Sequence, residues 1–144
     1  MINYQIGIQS KYLMLNGAIV ILSGLICGLL LWLAIIHNKD YKFIHARRVA
    51  HATLAMDGVM MIVVGLIIPF LNLSEPAVWI LTWSLVIAGY GFVLGLGIDA
   101  LKGYRSLAPK PYGIKTVLFG GHAIGVAGSL IGIAIVIYGL FNTF

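Results

Sequence analysis

The stretch LMLNGAIVILSGLICGLLLWLAII, residues 13–36, contains no charged side chain. It exceeds the roughly 20 apolar residues that a helix needs to cross a hydrocarbon core of about 30 Å. Residues 50–71, 77–98 and 116–141 meet the same test. Backbone groups in lipid must be hydrogen-bonded internally, and no alternating barrel pattern is present, so helices are predicted. The predicted fold class is an all-α membrane protein, a four-transmembrane-helix bundle forming a single domain over residues 1–144.

The overall composition excludes an ordinary water-soluble domain. Of the 144 residues, 61% are apolar and 9% are charged, whereas soluble domains carry about 25% charged residues. The same apolar richness excludes a disordered chain. A single cysteine, Cys27, excludes an intrachain disulfide.

The nine basic residues are distributed unevenly over the predicted topology. Four lie between the first and second spans, four lie between the third and fourth, and only Lys11 lies on the opposite side. The positive-inside rule then predicts that the inter-span segments 37–49 and 99–115 are cytoplasmic. We expect the protein in the inner (plasma) membrane of a cell. The net charge of +5 is thus a topology signal, and no nucleic-acid partner is expected.

Pairs of glycines at a spacing of four occur in three of the spans. Such pairs let helix backbones approach closely in lipid, either within one chain or between subunits. The pairs are Gly24/Gly28, Gly91/Gly95, Gly121/Gly125 and Gly128/Gly132.

Ionisable side chains within a span are costly and indicate a functional site by default. The candidates are His51 and Asp57 in the second span and His122 in the fourth, with the phenol of Tyr90 in the third. Counted at about 1.5 Å per residue from the predicted cytoplasmic ends, all four fall in the same half of the bilayer. Asp57 is the most informative, because a buried carboxylate must be protonated or partnered. Structural alternatives remain for the others: an interfacial anchor, a bond between helices, or packing.

Haem suits these residues better than other cofactors do. It is flat and apolar, and it needs an imidazole as axial ligand, which His51 offers. Arg47 and Arg48 stand just before His51, at the level where propionates need cations. His122 as a second ligand would leave only electron transfer, whereas an open position would make ferric iron a Lewis acid.

Two segments of the chain resemble a known family. The run AHATLAMDGVMMI, residues 50–62, continues through LIIP at 66–69, and the first span contains GLLLW at 28–32. These segments resemble the first two transmembrane helices of the styrene oxide isomerase family, which are small four-helix membrane enzymes.

The resemblance implies a homotrimer with haem b at the subunit interfaces, ligated by the histidine that matches His51. It further implies that ferric iron polarises an epoxide oxygen, and that ring opening and a 1,2-shift give an aldehyde. Tyr90 is the nearest match to a tyrosine that helps to hold substrate in the family. A substrate-contacting asparagine, six residues after the ligand, is Asp57 here. Aspartate accepts hydrogen bonds when ionised and donates one only when protonated.

The leading hypothesis is therefore a homotrimeric membrane haem b protein that isomerises a small hydrophobic epoxide. His51 would bind the iron, Asp57 and Tyr90 would orient or protonate the substrate, and Arg47 and Arg48 would pair with the propionates. One alternative is a haem protein for electron transfer or gas binding, with His122 as a less favoured second ligand. Another alternative is a haem-free accessory subunit of a larger membrane complex.

Overall fold

The four apolar stretches of the sequence form four long helices. The structure, a computed structural model, describes residues 7–104, 106 and 113–143. No strand occurs among these residues, and all four helices are long and apolar enough to cross a membrane, as predicted. The helices are α1 (Ile8–Ile36), α2 (Tyr41–Ile67), α3 (Glu75–Lys102) and α4 (Ile114–Phe141), with a single 3-10 turn, Ile68–Phe70, after α2.

The helices extend beyond the predicted apolar spans. α2 begins at Tyr41, nine residues before the predicted span, so that Arg47 and Arg48 lie on a helix rather than in a loop. α3 runs to Lys102 and ends at Gly103, whose φ of 66° is accessible to glycine without steric cost. Hydropathy marks the segment that suits hydrocarbon, whereas helical hydrogen bonds continue until a residue ends them. Most of the inter-span segment 37–49 is therefore helical, and in the segment 99–115 residues 99–102 and 114–115 are helical.

Short turns make consecutive helices antiparallel. After α1, Asn38 adopts a φ of 47°, and the backbone N–H of Lys39 donates to the carbonyl of Ala34 at 2.9 Å. Between α2 and α3, Pro69 lies in the 3-10 turn that ends α2. Pro76 lies in the first turn of α3, where the missing N–H costs no helical hydrogen bond.

α1 and α2 cross at a point where both helices carry glycine. A Cβ on Gly58 would lie 2.6 Å from the carbonyl oxygen of Gly17 and 2.5 Å from Cγ1 of Ile21. A Cβ on Gly17 would lie 2.8 Å from the carbonyl oxygen of Gly58. Each glycine therefore faces the backbone of the other helix, and van der Waals contact of this kind holds helices together in lipid.

α3 and α4 form a second pair with the same type of contact. A Cβ on Gly91 would lie 2.8 Å from the carbonyl oxygen of Gly121. α3 also packs against α1 and α2, whereas α4 makes few contacts outside α3 within the described residues. The bundle is thus open, with α3 in the middle and α4 at its edge. All eight glycines of the pairs found in the sequence contact side chains or backbone within the chain.

Replacing Gly58 by alanine is expected to destabilise the bundle by about 1–3 kcal/mol, because the added methyl overpacks the helix crossing. Gly120→Ala is the matched control, since a Cβ there meets nothing within 4 Å and alanine favours helix over glycine. Thermal unfolding in detergent, followed by tryptophan fluorescence, compares the two variants. Equal unfolding midpoints would contradict the close crossing.

Candidate functional site

The imidazole of His51 lies against the backbone of α1. Its Nδ1 is 2.9 Å from the carbonyl oxygen of Gly24, and a Cβ on Gly28 would lie 2.7 Å from the same nitrogen. A carbonyl only accepts hydrogen bonds, so Nδ1 carries a hydrogen, and in the neutral ring this tautomer leaves the lone pair on Nε2. This is the only hydrogen bond of His51 within the described residues. Nε2 is therefore free to bind a ligand atom.

Arg47 and Arg48 are adjacent in sequence but have different surroundings. Arg47 donates from Nε to the carbonyl of Ala100 at 3.1 Å and from Nη1 to the carbonyl of Leu30 at 2.8 Å. Ala100 lies in the last turn of α3, where carbonyls lack helical partners, so Arg47 joins α2 to both α1 and α3. Arg48 is exposed and has no hydrogen bond or ion pair to any residue that the structure describes.

The carboxyl group of Asp57 is buried among α1, α2 and α3, with 7% of the residue exposed. Its Oδ2 is sealed from solvent and has no hydrogen-bond partner in the described part of the chain. The oxygen faces Gly89 of α3, where a Cβ would lie 3.3 Å from Oδ2 and 3.1 Å from Sδ of Met61. A buried polar atom without a partner is costly. Oδ2 of Asp57 could therefore still form a hydrogen bond at this buried position among the three helices.

Tyr90 bridges α3 to α1 through its hydroxyl group. The O–H donates to Oδ1 of Asn16 at 2.8 Å. Asn16 is 6% exposed, whereas Tyr90 is 37% exposed, so the bond joins a buried amide to a phenol on the surface of the bundle. Within the described residues, Tyr90 therefore has no hydrogen bond to Asp57 or His51, the other candidate site residues.

His122 belongs to a buried polar cluster at the adjoining ends of α3 and α4. Its Nε2 lies 3.1 Å from Oδ2 of Asp99, whose two oxygens also accept hydrogen bonds from the backbone N–H and the hydroxyl of Ser106. A cavity of about 60 Å³ borders the cluster, with His45 and Tyr104 in its wall. His122 therefore makes the bond between helices that the sequence left open as an alternative to iron ligation.

Contacts with α1 order the candidate side chains along the bundle. His51 reaches Gly24, whereas the hydroxyl of Tyr90 reaches Asn16, eight residues away along α1. At about 1.5 Å per residue, these levels differ by roughly 12 Å. Asp57 lies between them, six residues after His51 on α2. Counting backbone positions had placed both residues in the same half of the bilayer, with His51 near its surface and Tyr90 deeper.

Two apolar grooves lie on the seam between α1 and α3. The inner groove, which is the one nearer the predicted cytoplasmic side, has a volume of about 290 Å³ and includes Leu54 of α2 in its wall. The outer groove, of about 270 Å³, includes Tyr12 and Trp83, whose ring centroids are 5.7 Å apart. The bond between Tyr90 and Asn16 lies between the two grooves along both helices. Along α1 and α3, open apolar space thus lies on either side of this bond.

The site as a whole is sparse in polar groups. Within residues 7–104, 106 and 113–143, no cluster of three or more His, Cys, Asp or Glu side chains could hold a metal ion. The site offers one free imidazole nitrogen, one unpartnered carboxyl oxygen and apolar grooves. Together with the four long apolar helices, these features define the class as an all-helical protein of membrane-spanning type.

Comparison with known proteins narrows this class to one family. The family model described as styrene oxide isomerase matches residues 9–141, nearly the whole chain. The chain therefore belongs to the styrene oxide isomerase family, and the resemblance in its first two spans is confirmed. Neither the comparison with curated proteins nor that with solved structures gave a match.

Two polar residues of this region, Asn16 and Asp99, were not predicted from the sequence. Asn16 lies within the first span but is not ionisable, so the rule that singled out Asp57 does not apply to it; a search for every polar side chain in an apolar segment would have found it. Asp99 stands one residue beyond the predicted end of the third span, although α3 continues to Lys102. It was missed because hydropathy ended the span before the helix ends.

Arg47→Ala is expected to lower the free energy of unfolding by about 1.5–3 kcal/mol, because it removes charged hydrogen bonds that link three helices. Arg48→Ala is the matched control and should change stability by less than about 0.5 kcal/mol, since it breaks no bond within the described chain. Thermal unfolding of both variants in the same detergent measures the difference. Equal losses would show that the bonds of Arg47 do not support the fold.

Proposed function

We propose that this chain isomerises a small hydrophobic epoxide to an aldehyde, with haem b held by His51. Membership of the styrene oxide isomerase family supports the isomerase activity. The observation that carries the proposal is the state of the His51 ring, which is anchored through Nδ1 while Nε2 has no hydrogen-bond partner among the described residues.

The surroundings of His51 fit the role of a haem ligand. Histidines that bind metals nearly always donate from their other ring nitrogen to a carbonyl or carboxylate, which sets the tautomer and the ring orientation. The Nδ1 contact with Gly24 is a bond of this kind, and Gly28 leaves space for the ring that a Cβ would fill. A single axial ligand is enough for haem, so no cluster of several ligands is needed. Bound there in the ferric state, haem b would supply a Lewis acid for the epoxide oxygen.

Both arginines were expected to pair with the haem propionates, but their contacts favour different roles. Arg47 already donates to Ala100 and Leu30, and its guanidinium lies 5.7 Å from the ring centroid of Phe43. Arg48 is exposed and free within the described residues. Arg48 is therefore the stronger candidate to pair with a propionate, and Arg47 holds the helices around His51.

The side chains of the chain itself would orient the substrate. The reaction breaks one C–O bond of the epoxide, moves a hydrogen with its electron pair to the neighbouring carbon and forms a carbonyl, so it consumes no redox partner. Asp57, with its unpartnered Oδ2, would donate a hydrogen bond when protonated. Tyr90, which stands on α3 between the residues that line the two grooves, would hold the apolar part of the substrate. The apolar walls would exclude water from the opened ring.

The proposal includes a homotrimer in the inner (plasma) membrane, with the segments 37–49 and 99–115 on the cytoplasmic side. Large apolar side chains are exposed on all four helices, as expected for surfaces that face lipid or another subunit. α4 packs chiefly on α3, so its outer face is available to a second copy of the chain. Eight of the nine basic residues lie in or beside the two segments.

The electron-transfer alternative finds no support in the geometry. With His122 as the second imidazole ligand, it needs space for haem beside that ring, but the ring is buried between α3 and α4, with Nε2 bonded to Asp99 and a Cβ on Gly95 only 3.1 Å from Nδ1. The haem-free accessory subunit needs no site, and it offers no reason for the free nitrogen of His51 or the unpartnered oxygen of Asp57.

Purified ferric protein loaded with haem is expected to convert at least one member of a panel of aryl and alkyl epoxides into an aldehyde, detected by gas chromatography. Asp57→Asn should retain activity within about tenfold, because an amide N–H replaces the carboxyl donor, whereas Asp57→Leu should lose about a hundredfold. His51→Ala is the inactive control. The absence of turnover across the whole panel would overturn the proposal.

His51→Ala is expected to abolish the Soret band of the purified protein, because it removes the iron ligand. His122→Ala should keep the ferric spectrum unchanged and lower only the thermal stability, because it breaks the bond to Asp99. Absorption spectra before and after dithionite reduction compare the two variants. A change from low spin to high spin in His122→Ala would instead support a second imidazole ligand.

A further inference from the structure

A chain of two hydrogen bonds links Tyr90 to the backbone of α1. The amide Nδ2 of Asn16 donates to the carbonyl oxygen of Tyr12, one turn earlier on the same helix, at 2.8 Å. The hydroxyl of Tyr90 donates to Oδ1 of Asn16, also at 2.8 Å. No other hydrogen bond of Tyr90 occurs among the described residues.

The direction of both bonds follows from the first acceptor. The carbonyl of Tyr12 can only accept, so the amide atom that faces it must be the NH₂ group of Asn16. The other amide atom, Oδ1, can only accept, so Tyr90 must donate its single hydroxyl hydrogen. The oxygen of Tyr90 then has only lone pairs left for any further partner.

From this arrangement we infer that Asn16 is a positioning residue, which holds Tyr90 so that its phenol faces a ligand only as a hydrogen-bond acceptor and an aromatic surface. The inference rests on the proposed function, in which Tyr90 holds the substrate. Asp57 and Tyr90 were both expected to orient or protonate the substrate, and the inference assigns them different roles. Tyr90 positions the substrate, and the hydrogen bond to the substrate comes from Asp57.

The position of the bond supports this role. It stands between the inner and outer grooves on the seam of α1 and α3, where the phenol is 37% exposed. Asn16 is instead buried within a span that carries no charge. Without Tyr90 its Oδ1 would have no partner within the described residues, and without Asn16 the phenol could rotate and offer its hydrogen elsewhere.

The inference is tested with Asn16→Leu, which keeps the approximate size of the side chain, and with Tyr90→Phe and the double variant. Ser84→Ala is the control, because it removes a side-chain bond of α3 that stays within its own helix, to Leu81 at 2.9 Å. The first measurement needs no activity. Ultraviolet resonance Raman spectra are recorded, and the spectrum of Tyr90→Phe is subtracted to isolate the signal of Tyr90. In the wild type, the tyrosine Fermi doublet should show that this phenol donates a hydrogen bond. That signature should be lost in Asn16→Leu.

The second measurement is a double-mutant cycle on epoxide turnover. Asn16→Leu is expected to lower kcat by roughly tenfold, with a smaller change in KM, as one lost hydrogen bond predicts. In the Tyr90→Phe background it should have no further effect, because Asn16 acts through the hydroxyl. Ser84→Ala should leave kcat, KM and the doublet unchanged.

The outcomes separate this inference from the proposed function. A doublet that Asn16→Leu does not alter would overturn the inference, and so would an equal loss of kcat with and without the hydroxyl of Tyr90. If the wild type turned over no epoxide while the doublet changed as expected, the proposed function would fail and the control of Tyr90 by Asn16 would stand.

Discussion

At the crossing of α1 and α2, each helix has a glycine, so no side chain larger than a hydrogen atom keeps the two helices apart. Gly17 and Gly58 bring the two backbones together. The same approach, continued toward the predicted cytoplasmic end, places the ring of His51 against Gly28 and within reach of the carbonyl of Gly24. Because lipid provides no hydrophobic drive between helices, this close packing is what holds the site in place.

Polar groups inside the bundle follow a second constraint, since lipid offers no hydrogen bonds. Arg47 donates to two helix carbonyls, Tyr90 donates to Asn16, and His122 is paired with Asp99. Each of these bonds joins different helices, so satisfying the polar groups also joins the bundle. Oδ2 of Asp57 departs from this pattern within the described residues. The hydroxyls of Ser10 and Ser129 are likewise buried without a partner there, but Asp57 is the only carboxyl group among these three.

The number and type of the elements were predictable from the sequence, but their ends were not. α2 begins nine residues before its apolar stretch, since headgroups and water accept a polar helix as readily as a loop. Asp57 and His51 were predictable because ionisable groups are rare inside a span. Asn16 and Asp99 were missed because the search was confined to ionisable groups within the apolar spans. The bonds of Tyr90 and His51 to α1 were not predictable, because side-chain direction depends on the packing of three helices.

The sequence by itself determined that the chain forms apolar helices, and it marked His51 and Asp57 as exceptions. Hydropathy and segment length are local properties, so they are determined by the amino-acid sequence alone. Only the tertiary structure decided what each exception does. It gave Nδ1 of His51 to a carbonyl, left Oδ2 of Asp57 without a hydrogen-bond partner among the described residues, and committed His122 to Asp99. These outcomes depend on which backbone atoms of other helices come within about 3 Å, a distance set by packing rather than by composition.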